Sequence, residues 1–192
     1  MKDTCVVVIG ASAGGVQSLQ TLFRAMPTNF PAPIFVTMHL SPNHPSHLAE
    51  IVQNTDGFVA KNPSEEETIE PGFVYVAPPN KHMFIEDGKV VLATGPKENR
   101  HRPAINVLFR SAAYVYGAKA IGVILSGTLD DGTSGLWEIK RKGGIAIVQD
   151  PADALHAQMP TNAIENVAVD YVLPVADIPR LLLSLCTAEV KT

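Results

Sequence analysis

With 192 residues, 46% of them hydrophobic and 18% charged, the chain can bury one sizeable core, and a single domain over residues 1–192 is expected. A net charge of −4, with lysines and arginines scattered along the chain, leaves no basic stripe and argues against a nucleic-acid partner. No apolar run approaches the roughly 20 residues of a membrane span, and Met1-Lys2-Asp3-Thr4 lacks a signal-peptide layout, so no membrane insertion and a cytoplasmic location are expected. The two cysteines, Cys5 and Cys186, read as small buried hydrophobes rather than as a bridge or a metal pair.

Residues 6–9 are an apolar β-branched run that predicts a buried parallel strand, and residues 16–23 carry apolar side chains at helical spacing. The turn between them, Gly10-Ala11-Ser12-Ala13-Gly14-Gly15, fits G-x-S-x-G, in which small neighbours let a sharp bend expose the serine hydroxyl. A proline-punctuated loop leads to a second strand, residues 34–38, which ends at His39. Strand, helix, strand predicts a right-handed crossover, so Ser12 and His39 leave parallel strands at the same sheet edge, where open α/β sheets bind ligands.

Residues 41–54 read as a loop and helix with Leu48, Ile51 and Val52 inward, and residues 58–60 as a short strand before the acidic Glu65-Glu66-Glu67. Residues 73–77 predict another strand. Residues 82–85 and 89–92 flank Asp87-Gly88, the strongest hairpin signal in the chain. Residues 94–103 have no periodicity and predict a surface loop. Residues 105–116 predict a helix with Val107, Leu108, Ala112 and Val115 inward, stopped by Gly117.

Residues 120–125 are a further core strand, followed by Ser126-Gly127-Thr128-Leu129-Asp130-Asp131-Gly132 and a helix that begins with residues 136–140. A strand at 145–148, a polar loop at 150–158, a helix at 160–166 opening with proline, a strand at 169–173 and a helix at 177–186 complete the pattern. The alternation predicts an α/β domain with a mainly parallel sheet and one antiparallel hairpin.

Serine needs a base to take its proton, and the base needs a third group to hold its tautomer. Of six histidines, His39 is favoured because it ends the strand beside Ser12. Asp131 follows a core strand at the same edge, with Asp150 a rival after the next strand; Asp130 reads as a helix cap or loop holder. The glycine turn also has a phosphate-binding reading, but glycine is missing where Ser12 stands, and no Gly-Lys-Ser/Thr follows. A zinc reading of His39, His44 and His47 matches no strong ligand spacing, so no metal is expected. The order serine, histidine, aspartate also differs from the α/β-hydrolase order.

The glycine-serine turn, the strand ending in His39, Tyr75-Val76-Ala77-Pro78-Pro79-Asn80-Lys81-His82-Met83, Asn99-Arg100-His101-Arg102-Pro103 and the 126–132 segment occur in an order that resembles the protein-glutamate methylesterase family of bacterial chemotaxis, the CheB catalytic domain. Gln158-Met159-Pro160 and Ala163-Ile164 extend the resemblance over nearly the whole chain. The resemblance implies a doubly wound α/β fold with helices on both faces. It also implies hydrolysis of glutamate γ-methyl esters on the cytoplasmic helices of chemoreceptors, with methanol released, and deamidation of selected glutamines.

Carried over by position, Ser12 matches the nucleophile, His39 the base and Asp131 the orienting acid, with no cofactor. Arg100, Arg102 and Thr128 border the site as candidate substrate contacts. A methylated receptor or receptor-like protein is the expected partner, and a cognate methyltransferase or a separate regulator is a further one.

Three departures stand out. The first strand begins within a few residues of Met1, where family members carry a phospho-accepting receiver domain, so control in cis is not expected. Ala13 stands where threonine is common, and Thr128-Leu129 where methionine-glycine is common. A reading from another class is a non-catalytic docking domain of the same fold, which has no need for serine, histidine and aspartate together.

Overall fold

The structure is a computed structural model that describes residues 4–53 and 58–187. In chain order its elements are β1 (Val6–Ala11), α1 (Gly15–Ala25), β2 (Ile34–Met38), α2 (Leu48–Gln53), β3 (Val59–Lys61), β4 (Glu67–Thr68), β5 (Phe73–Val76), β6 (His82–Glu86) and β7 (Lys89–Ala93). They continue with α3 (Ile105–Tyr116), β8 (Ala120–Ile124), α4 (Thr133–Arg141), β9 (Ile145–Gln149), α5 (Gln158–Asn166), β10 (Tyr171–Leu173) and α6 (Ile178–Thr187).

Seven strands form one parallel sheet in the order β10-β9-β8-β1-β2-β5-β3. β1 is buried along its whole length because helices cover both faces. Val7, Ile9 and Ala11 join an apolar cluster with Leu19 and Leu22 of α1 and Leu182 of α6. Val6 and Val8 join a second cluster with Leu108 and Phe109 of α3 and Leu136 of α4. The chain leaves β1 toward β2 and returns on its other side as β8, so β1 lies at the reversal of strand order, where such sheets bind ligands.

Glycine matters most at position 10. A Cβ there would collide with the Ile105 side chain, so Gly10 is what lets the first turn of α3 approach the end of β1. The elbow itself requires Gly14, whose φ of 73° is in the left-handed region, and whose Cβ would fall 2.7 Å from Ser126 Oγ.

Several expectations are corrected. Cys5 and Cys186 form a disulfide, with Cα atoms 5.6 Å apart across a sequence separation of 181. The apolar face of α6 packs on the same cluster as β1 and carries Cys186 with it, a contact no local pattern encodes. The predicted hairpin is two strands of a three-stranded antiparallel sheet, β4-β7-β6, because Glu67 and Thr68 pair with Val90 and Lys89. On α3 the inward positions are Leu108, Phe109, Ala112 and Ala113, while Val107 and Val115 are half-exposed. α4 and α5 begin earlier than their apolar residues suggest, and Ile51 of α2 is half-exposed. Asn54, the last residue of the segment predicted over 41–54, lies outside the described residues.

The cross-link joins the first strand to the last helix and restricts the unfolded chain strongly. Removing it is expected to cost about 2–5 kcal/mol. Thermal melts check this: a thiol reductant is expected to lower the Tm of the wild type, whereas Cys186→Ser melts lower from the outset and is insensitive to reductant.

Candidate active site

Ser12 follows the last residue of β1, and its backbone is fixed from below. Ser12 N–H donates to Ser126 O at 3.0 Å, and Gly15 N–H donates back to Ser12 O at 2.8 Å, closing the turn into α1. Ser126 Oγ donates to Ala13 O at 2.8 Å and accepts from His156 N–H at 2.9 Å. Beneath it the buried Gln149 Oε1 accepts from Ser126 N–H and from Ser18 Oγ, while Gln149 Nε2 donates to Asp153 Oδ2. These bonds satisfy polar groups that burial would otherwise leave costly, and they tie β1, β8, β9 and the 150–158 loop into one support.

His39 follows β2, and its amide donates to Ala11 O at 3.3 Å, continuing the β1–β2 ladder by one residue. Its ring lies between the other two groups: Nδ1 is 3.0 Å from Ser12 Oγ, and Nε2 is 2.7 Å from Asp131 Oδ2. An ionised carboxylate only accepts, which places the ring proton on Nε2 and leaves the Nδ1 lone pair for the serine hydroxyl.

Asp131 lies in the loop after β8 and is 1% exposed. Its Oδ2 also accepts from Ile105 N–H at 2.7 Å, and its Oδ1 accepts from Asn106 N–H at 3.2 Å and Asn99 Nδ2 at 3.4 Å. α3 has no side-chain cap of its own, so this carboxylate supplies one from a distant segment, and the positive end of the helix faces a negative charge. Asn106 reciprocates, its Oδ1 accepting from Gly132 and Gly135 N–H at the start of α4. Serine, histidine and aspartate thus form one hydrogen-bonded chain, a geometry suited to moving a proton off the serine.

His101 was not singled out by the sequence. Its ring stacks on His39, centroids 3.4 Å apart and planes within 3°. Burial, and secondarily the neighbouring His39, holds its pKa below the usual histidine value. Its signal in the sequence was slight: a histidine in a loop with no core-forming pattern.

The other expected site residues separate in kind. Arg100 is exposed and Thr128 half-exposed beside the triad loops. Arg102 instead spends its guanidinium on the protein: Nε and Nη2 donate to Asn80 Oδ1, and Nη1 donates to Gly95 O at 2.7 Å. Asp150 Oδ1 accepts from Ala152 N–H within its own turn, and two strands separate its strand from His39's. The Asp130 carboxylate caps no helix; its backbone carbonyl accepts from Thr133 N–H and its side chain lines an open cleft. His82 is buried, with Nε2 donating to Pro96 O and Nδ1 accepting from Ala104 N–H, while His44 and His47 are exposed. Among the described residues no cluster of His, Cys, Asp or Glu is arranged to hold a metal ion. No helix among them is long and apolar enough to cross a membrane.

The chain is similar to known proteins over most of its length. The sequence profile described as CheB methylesterase matches residues 7–182. A Leptospira interrogans protein, provisionally named protein-glutamate methylesterase/protein-glutamine glutaminase, is 43% identical over 180 residues, covering 93% of both chains. The Thermotoga maritima protein-glutamate methylesterase/protein-glutamine glutaminase is 39% identical over 184 residues, 94% of this chain and 54% of that one, so the chain spans about half its length. The crystal structure of the Thermotoga maritima CheB methylesterase catalytic domain superposes with a TM-score of 0.90 at 39% identity, over 95% of this chain and 98% of that one. With one fold, one sequence profile and one set of relatives in agreement over nearly its full length, the chain belongs to the CheB methylesterase family.

Proposed function

We propose that the protein is a serine esterase that hydrolyses glutamate γ-methyl esters on a chemoreceptor or receptor-like protein, and that the same site deamidates glutamine side chains. The observation that carries this is the unbroken hydrogen-bond chain from Ser12 through His39 to Asp131. The names of the relatives supply the substrate class.

In this reading Ser12 Oγ attacks the ester carbonyl carbon as its proton passes to His39 Nδ1. The tetrahedral oxyanion is held by the Ala13 N–H, the amide after the nucleophile, which has no hydrogen-bond partner among the described residues. Collapse expels the methoxy group, which takes the proton from Nδ1 and leaves as methanol. Water then attacks the acyl-enzyme, gives its proton to Nδ1, and releases the glutamate as Ser12 is restored. With glutamine the leaving group is ammonia. Throughout, Asp131 keeps Nε2 protonated and steadies the imidazolium. Ala13 supplies this donor from its backbone, so the contact needs no particular side chain at the position. Work on the cytoplasmic part of a receptor places the protein in the cytoplasm, where thiol reductants act on the Cys5–Cys186 bond.

His101 contributes a flat, neutral ring against which the His39 imidazolium can form. A protonated His101 would place a second cation at 3.4 Å and oppose that step.

Methanol release from a methylated receptor is the direct test: Ser12→Ala is expected to reduce it by about 10⁴-fold or more, and equal rates would sink the proposal. Asp131→Asn is expected to reduce kcat by about 10⁴-fold. Losing the anion at the start of α3 is also expected to cost about 1 kcal/mol of stability, read from denaturant melts.

For His101 the folded pKa lies below its ordinary value of 6.5, so as pH falls the unfolded chain takes up this proton first. Its contribution to stability is complete above 6.5 and is lost as pH falls through the folded pKa. Denaturant melts between pH 7 and pH 5 are expected to show a shallower loss in His101→Phe, which keeps a stacked ring but does not titrate.

A further inference from the structure

The loop after β8 that carries Asp131 also holds an apolar side chain, Leu129, out in solvent. Leu129 has φ of 65°, a left-handed conformation that L residues with branched side chains rarely adopt, and it is 43% exposed. Its backbone is gripped at both ends from α5: Gln158 Oε1 accepts from Leu129 N–H at 3.0 Å, and Asn162 Nδ2 donates to Leu129 O at 2.7 Å. Two amide side chains one helical turn apart thus hold one residue in an unfavourable conformation, with its isobutyl group left in solvent. Strained residues held by their surroundings concentrate where a ligand is met.

The placement fits such a role. Gly127, two residues earlier, packs beside Ser12, since a Cβ on it would stand 3.0 Å from Ser12 Cβ. Leu129 lines a cleft of about 190 Å³ with Asn99, Arg100 and Asp130, and Asn99 and Arg100 are also left-handed, with φ of 46° and 70°. Across the elbow, Leu155 is 65% exposed and lies within 3 Å of where a Cβ on Gly14 would be. Leu155 thus lies beside the elbow, and Leu129 lies two residues beyond the Gly127 that packs on Ser12, in a cleft it shares with Arg100.

We infer that Leu129 is a specificity-determining contact, held by Gln158 and Asn162 to meet an apolar side chain that neighbours the ester-bearing glutamate on a protein substrate. This rests on the methylesterase reading and sharpens it. The substrate segment pairs its esterified glutamate with apolar residues that reach Leu129, and with an acidic residue facing Arg100, as one stripe of an amphipathic helix does.

Leu129→Gly separates this role from stability, because glycine takes a positive φ without strain and the grip of α5 is on the backbone. Its Tm is expected to be no lower than that of the wild type. Affinity is measured in the Ser12→Ala background with a methylated cytoplasmic receptor fragment, so that turnover plays no part. Adding Leu129→Gly is expected to weaken Kd by about tenfold, as loss of a partly exposed leucine contact implies, and Leu129→Met to restore it to within about threefold. Equal Kd values with and without Leu129→Gly, or no binding by either, would overturn the role of Leu129. A wild-type protein that binds the fragment with a Leu129-dependent Kd but releases no methanol counts against the esterase reading alone.

Discussion

A buried carboxylate organises this protein. Asp131 is almost wholly out of solvent, and a charge in that position is tolerated only when its oxygens are supplied with donors. Its donors come from three parts of the chain: the His39 ring after β2, the first two amides of α3, and Asn99 in the loop before that helix. Each demands a feature elsewhere. The ring is in reach because β1 separates β2 from β8 by only two strand spacings, and the helix amides are in reach because position 10 has no side chain. One negative charge therefore couples strand order, helix placement and the tautomer of the proposed base.

The strands and helices were largely legible in the residues. Runs such as Val6 to Ile9 declare a doubly covered strand, and the apolar stripe and glycine stop of α3 give its limits correctly. The grouping of Ser12, His39 and Asp131 was legible because each lies on a segment that leaves a core strand at one edge, and a parallel sheet brings such segments together. What local pattern does not carry is long-range geometry in irregular segments. The Cys5–Cys186 contact depends on how α6 lies across the sheet, the His101 stack on the path of an aperiodic loop, and β4 on two residues pairing with a hairpin whose own signal was complete without them. Arg102 shows the same limit: an arginine near a site reads as a binding group until its partners are known, and here they are Asn80 and Gly95.

The two loops that edge the site are built differently. The segment carrying Asn99, Arg100 and His101 is stapled by backbone bonds between Glu98 and His101 and by the Glu98 ion pair to Arg110. The segment carrying Thr128 and Leu129 is held by amide side chains of α5. Both are fixed by bonds to rigid elements rather than by packing of their own, which suits a surface that has to be shaped yet open.

The bond between Cys5 and Cys186 also changes what the chain is as a covalent object. Nearly all of the described residues lie between its two ends, so the polypeptide is a closed ring rather than a line. A ring cut once remains one molecule. Cleavage in an exposed loop, such as the stretch before α2, would leave both pieces joined through sulfur, with β1 and α6 still in place in the sheet. Separation of the pieces would then require an electron donor as well as a protease, and for a nicked molecule the redox state of its surroundings would decide whether Ser12 and Asp131 stay covalently connected.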